Sequence, residues 1–151
     1  MKPIVMLADA NVFLRFLRND HPEHSPAAKQ MMEQAANDEV VLRAPEMVVA
    51  DIFYTLTAPG MKIPRAAAAR QLSALLQQPG IEVENRSRVF GILSLCETRN
   101  IDYGDAALII ATQAAAQPIP ILSYDKDFRK EPGVTAFSPT EWLQNGRKLL
   151  K

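Results

Sequence analysis

Ile4-Val5-Met6-Leu7-Ala8-Asp9-Ala10-Asn11-Val12-Phe13-Leu14 decides the fold class. An apolar run of strand length ends on an aspartate, and a helix-patterned segment begins at once. The arrangement returns far along the chain, where Ile119-Pro120-Ile121-Leu122-Ser123-Tyr124 runs into Asp125. Between these two ends, apolar runs alternate with helical patterns, which is the signature of a parallel sheet flanked by helices. Strands are expected near 4–8, 39–43, 81–85, 119–123 and 134–137. Helices are expected near 11–18, 25–37, 45–57, 64–78, 86–99, 105–116 and 139–149. The fold class is therefore α/β, with a central, mostly parallel twisted sheet of about five strands.

Punctuation agrees with these elements. Pro45 and Pro64 suit first-turn helix positions, and Ser138-Pro139-Thr140-Glu141 reads as the start of a final helix. Gln78-Pro79-Gly80 stops the fourth helix before Ile81 opens a strand. Two helices separate the first two strands, so one helix pair is expected to pack as an arm or clip. No repeat, low-complexity tract or linker interrupts residues 1–151, which read as one domain.

Composition excludes several classes. The 151 residues are 48% hydrophobic and 23% charged, ordinary values for a globular protein. No apolar run approaches the ~20 residues that span a bilayer, and the first is too short for a signal peptide. The single cysteine, Cys96, forbids an internal disulfide framework and fits a reducing cytoplasm. Formal net charge is zero, so no global basic field draws nucleic acid. His21 and His24 flank Pro22 in a polar segment that reads as a solvated loop. With one cysteine and two histidines, a nitrogen/sulfur zinc site is not expected. Gly-x-Ser-x-Gly, Walker and Gly-x-Gly-x-x-Gly motifs are missing, which leaves the chemistry to carboxylates.

Four aspartates stand where such a fold gathers ligands, outside the carboxyl ends of the strands. Asp9 and Asp125 follow the first and fourth strands. Either Asp9 or Asn11 suffices to cap the helix that follows, which leaves the other spare. Asp51 lies opposite the apolar stripe Val49, Ile52, Phe53 and Leu56, with Met47, Val48, Tyr54 and Thr55 as its helical neighbours. A solvent-facing aspartate usually sits among polar residues, so a walled cleft is expected around it. Glu46, in the first turn of the same helix, gains from the helix dipole and needs no catalytic role. Asp102-Tyr103-Gly104-Asp105 resembles a capping box ahead of an apolar helix expected to be buried, with Asp105 preferred as ligand over Asp102. Ser123 and Asp127 flank Asp125 as auxiliary polar groups.

Repulsion limits what such a cluster can be. Two carboxylates ~4 Å apart repel by ~4 kcal/mol at an effective dielectric near ~20. Three or four converging without a cation would protonate or open the fold. A hard divalent ion with oxygen ligands, Mg²⁺ or Mn²⁺, removes that cost.

At these residues the chain resembles the PIN-domain family, and within it the VapC-type toxins of bacterial toxin–antitoxin pairs. The matching pieces are Ala8-Asp9-Ala10-Asn11-Val12-Phe13-Leu14-Arg15, Val49-Ala50-Asp51-Ile52-Phe53-Tyr54-Thr55-Leu56, Asp102-Tyr103-Gly104-Asp105-Ala106-Ala107-Leu108 and Leu122-Ser123-Tyr124-Asp125-Lys126-Asp127-Phe128. The resemblance implies a three-layer fold and a metal-dependent endoribonuclease with the catalytic quartet Asp9, Asp51, Asp105 and Asp125. Asp9, Asp105 and Asp125 would hold metal, and Asn11 would be an auxiliary residue beside it. The family usually carries Glu where this chain has Asp51, which is one methylene shorter. The resemblance further implies a cognate antitoxin laying an apolar segment along a groove, and a homodimer. Arg15, Arg86, Arg88, Lys126 and Arg129 are the cations expected to touch RNA. Three rival readings are a PIN-type RNase without an antitoxin, a phosphatase of the haloacid-dehalogenase type, and an inactive α/β interaction module.

Overall fold

The computed structural model describes residues 1–150. They form two compact units, the first Met1–Gly104 and the second starting at Asp105. In the first unit the order is β1 (Ile4–Leu7), α1 (Ala10–Arg18), α2 (His24–Ala36), β2 (Val40–Ala44), α3 (Glu46–Thr57), α4 (Arg65–Leu76), β3 (Ile81–Val83), α5 (Arg86–Arg99) and the start of α6 (Tyr103–Ala114). Each pair of successive strands is joined through two helices. Such a crossover returns the chain in the same direction, and all strand pairs are parallel in the order β1-β2-β3.

The middle strand β2 buries Val40, Leu42 and Ala44, and its register sets Ile4 against Val40 and Leu42 against Ile81. β1 is an edge strand whose four apolar side chains are exposed. The core of this unit lies between the sheet and the helices. Phe13, Ile52, Phe53, Leu56, Leu72, Leu76, Val89, Ile92 and Leu93 are all buried there, and the Cys96 side chain is buried among them. Gly80, with φ of 81°, makes the tight entry to β3. A Cβ on it would lie 2.3 Å from the carbonyl oxygen of Ala35 at the end of α2, so only glycine fits.

The second unit contains the rest of α6, β4 (Ile121–Leu122), a 3₁₀ turn over Lys126–Lys130, β5 (Ala136–Phe137), α7 (Pro139–Asn145) and a last 3₁₀ turn over Gly146–Leu150. β4 and β5 pair in parallel. The five expected strands are thus present, parallel, and divided into a three-stranded and a two-stranded sheet among the described residues. The mixed α/β class holds.

The differences in detail have local causes. Proline has no N–H to give a ladder, and Pro120 delays β4 to Ile121. Val134 is spent on a turn through its bond to the Glu131 carbonyl at 3.2 Å, which shortens β5. Pro45 and Pro64 stand one residue ahead of the expected position, as the caps of α3 and α4. The expected final helix over 139–149 stops at Asn145, because Gly146 takes φ of 53°. Helix α6, expected to be buried on every side, buries Tyr103, Ala106, Ile109 and Thr112 but leaves Leu108 exposed. The segment read as a solvated loop is more ordered than expected. His21 and His24 stack at 3.9 Å, and His24 opens α2.

Candidate active site

Asp9 sits two residues past the end of β1, at the cap position of α1, with extended backbone (φ −75°, ψ 156°). Its carbonyl accepts the Val12 N–H at 3.1 Å, but its carboxylate makes no capping bond. The expected alternative, in which Asp9 is spent on the helix end, is therefore not what its side chain does. The carboxylate is exposed and has no hydrogen-bond or ion-pair partner among the described residues. Asn11 follows in the first turn, also exposed.

Asp51 stands on the outer face of α3, and the inner face buries Val49, Ile52, Phe53 and Leu56. The walled surroundings expected from its apolar neighbours are not found. Asp51, Met47 and Tyr54 are all exposed. The reason is that Met47 and Tyr54 share the outer face and are themselves outside the core. Glu46 behaves as a structural residue. One carboxylate oxygen is 2.9 Å from Arg88 Nε and the other accepts from Asn85 Nδ2 at 3.1 Å.

Tyr54 is the residue the sequence pattern undervalued. The pattern offers it only as a helical neighbour of Asp51, yet its hydroxyl accepts the Gly104 N–H at 2.8 Å. That bond ties α3, one turn from Asp51, to the first residues of α6. A Cβ on Gly104 would lie 2.9 Å from the same hydroxyl, so the approach depends on glycine. The only available signal was the three-residue spacing between Asp51 and Tyr54, which sets them on one helical face. Tyr103 beside it is buried, and its hydroxyl has no partner among the described residues. Loss of hydration, and then the negative charge of Glu46, push its ionisation far above the usual tyrosine range.

α6 begins at Tyr103, which puts Asp102 at its N-terminal cap position and Asp105 in its first turn, both half-buried. In the second unit Asp125 caps the 3₁₀ turn. Its Oδ1 accepts the Asp127 N–H at 2.8 Å, and the Ser123 Oγ accepts the Asp125 N–H at 3.0 Å. A carboxylate has two oxygens, and the cap uses one of them. Asp127 is ion-paired with Lys130 at 2.8 Å.

The first unit thus carries Asp9 and Asp51 and the second carries Asp105 and Asp125. Among the described residues, no group of three or more His, Cys, Asp or Glu side chains is gathered as metal ligands are. The donors themselves are carboxylates and an amide, all hard oxygen, which is the chemistry of Mg²⁺ and Mn²⁺. Of the five cations proposed for RNA, Arg88 is engaged by Glu46, Arg129 by Glu141, and Arg86 lies 4.7 Å over the Phe90 ring. Arg15 is held loosely, with Asp20 at 3.9 Å.

Among curated proteins, none matches the chain. The family model for the PIN domain matches residues 6–133, from within β1 to the turn before β5 and through all four aspartates, and the chain belongs to the PIN-domain family.

Proposed function

We propose that the protein is a metal-dependent endoribonuclease, the toxin of a toxin–antitoxin pair, with Asp9, Asp51, Asp105 and Asp125 as its catalytic carboxylates. PIN domains are nucleases and commonly need divalent metal, which gives the general class. The observation that carries the specific reading is Asp9. It occupies a helix cap without capping, which leaves a whole carboxylate uncommitted at a strand exit. Asp51 is likewise unpartnered among the described residues, whereas the neighbouring Glu46 is consumed by Arg88 and Asn85.

Asp9, Asp105 and Asp125 would hold one or two Mg²⁺ or Mn²⁺ ions, which would supply an activated water and offset charge on the phosphoryl oxygens. The chain's own part is to orient these carboxylates around the ions and the scissile phosphate. A carboxylate, or a hydroxide that the metal would supply, takes the role of base. Attack at phosphorus breaks the bond to the leaving oxygen, which takes up a proton. Asn11 and the hydroxyl of Ser123 offer further polar contacts. Met47, at 80% exposure, and Tyr54 give α3 an apolar outer face that suits an antitoxin segment or a second copy.

The test is cleavage of a pool of structured and single-stranded RNAs with Mn²⁺. Asp9→Asn should cost at least about a hundredfold in rate, with thermal melting unchanged in metal-free buffer, and chelation should silence the native protein. Glu46→Gln should keep near-native cleavage with stability lowered by up to about 1 kcal/mol. Full activity in Asp9→Asn would refute the assignment, as would loss in Glu46→Gln alone.

A further inference from the structure

The carboxylates leave unexplained a built concavity in the first unit. Between α1 and α2 lies a pocket of about 400 Å³, lined by Asn11, Val12 and Arg15 of α1 and His24, Ala27 and Met31 of α2. The α2 positions recur at three and seven residues and so share one face. Val12, Ala27 and Met31 supply apolar walls, and an amide, a guanidinium and an imidazole supply the polar groups. Small-molecule sites are built this way, within roughly 300–1,000 Å³.

Two of the polar groups are set up in advance. The His24 ring is stacked on His21 at 3.9 Å with 9° between planes. His21 is itself fixed, because its Nδ1 accepts the N–H groups of Glu23 at 3.2 Å and His24 at 2.9 Å. Its backbone N–H donates to the buried Ser25 Oγ at 3.1 Å. Arg15 is fixed less firmly, since Asp20 is 3.9 Å away and gives its closer contact, 3.0 Å, to Arg18. Among the described residues that line the pocket there is no carboxylate. A planar ring, a loosely held cation and an amide against apolar walls suit one unstacked nucleotide, with its base against the ring and its phosphate on the arginine. A basic side chain of a protein partner would meet Arg15 instead, a like charge.

We infer that the α1–α2 pocket binds a nucleotide of single-stranded RNA next to the cleaved bond and sets the base preference of cleavage. This rests on the nuclease reading, because Asn11 and Val12 lie in the first turn after Asp9. His24 and Arg15 are then substrate-binding residues, and Met31 and Ala27 shape the pocket.

The experiment uses the Asp9→Asn protein in chelator, so that binding is read without cleavage. Fluorescent single-stranded RNA hexamers of each base are titrated against it and against variants that add Ala27→Trp, Arg15→Ala or His24→Ala. Ala27 and His24 are exposed, and circular dichroism confirms that each variant folds. Filling the pocket with tryptophan should weaken the preferred hexamer at least about tenfold. His24→Ala should compress the difference between bases, and Arg15→Ala should flatten the salt dependence. The matching nucleoside monophosphate should shift the NMR signals of the Met31 methyl and the His24 ring. Native affinity in folded Ala27→Trp overturns the inference, as does failure of every hexamer to bind. Hexamer binding without metal-dependent cutting by the native chain would sink the nuclease reading alone. Cutting with unchanged base preference in Ala27→Trp would sink the pocket alone.

Discussion

His21 has an acid–base character that its neighbours dictate. Reduced hydration, then His24, then Arg15 lower its affinity for a proton below the ordinary histidine value of 6.5, and Asp20 opposes them. Protonation would also remove the Nδ1 lone pair that accepts two N–H groups at the start of α2. The sign follows from linkage. The unfolded chain takes up the proton first, so stability is fully present above pH 6.5 and declines as pH falls from there through the lower folded-state value. Urea midpoints measured between pH 7.5 and 5 should show this decline. His21→Asn, which keeps an acceptor but does not titrate, should reduce it. An unchanged pH profile in the variant would assign the decline to other groups.

At the scale of elements, α1 and α7 begin with the same signals and use them differently. Ser138 completes a capping box, accepting the Glu141 N–H at 3.1 Å while Glu141 Oε2 accepts the Ser138 N–H at 3.0 Å. Ser138→Ala should therefore cost about 1 kcal/mol. Asp9→Asn should cost less, because no capping bond is lost there. Chemical denaturation of both variants checks the contrast. The sequence made these starts legible, since Ser-Pro-Thr-Glu is a local pattern whose partners lie within three residues. The strands were legible too, because their apolar runs alternate with helical ones. What was not legible involves residues far apart in the chain. Asn85 reaches Glu46 over 39 positions, and Gly104 reaches Tyr54 over 50. No periodicity encodes which outward side chain a distant one will engage. Glu46 could be set aside from its helix position alone, but the anchoring role of Tyr54 could not. The strand exits at Asp9 and Asp125 are visible in the apolar runs, whereas Asp125 spending one oxygen on a turn and Asp9 spending none is set by the folded backbone.

For the whole molecule, the PIN match runs through both compact units and stops at Gly133, ahead of β5 and α7. The chain carries no net charge, so long-range attraction to RNA is weak and cations have to act locally. No helix among the described residues is long and apolar enough to cross a membrane. If Asp9, Asp105 and Asp125 hold metal in the folded chain, metal must stabilise that chain as any ligand of the native state does. At a hundredfold excess over its dissociation constant the gain is about 2.7 kcal/mol. A chain of this length should then melt roughly 5–10 °C higher. Calorimetry with and without Mn²⁺ should show the rise in the native protein and a smaller one in Asp9→Asn. Equal rises in both would place the metal elsewhere.

Gly80 gives the α1–α2 pocket a distant governor. With no space between position 80 and the Ala35 carbonyl, any side chain added there must displace the tail of α2. A helix moves as a rod, and its far end bears His24, so a methyl group fifty-six positions downstream would retune the pocket mouth. Selection for altered base preference should therefore change the lining itself and leave glycine at position 80 untouched.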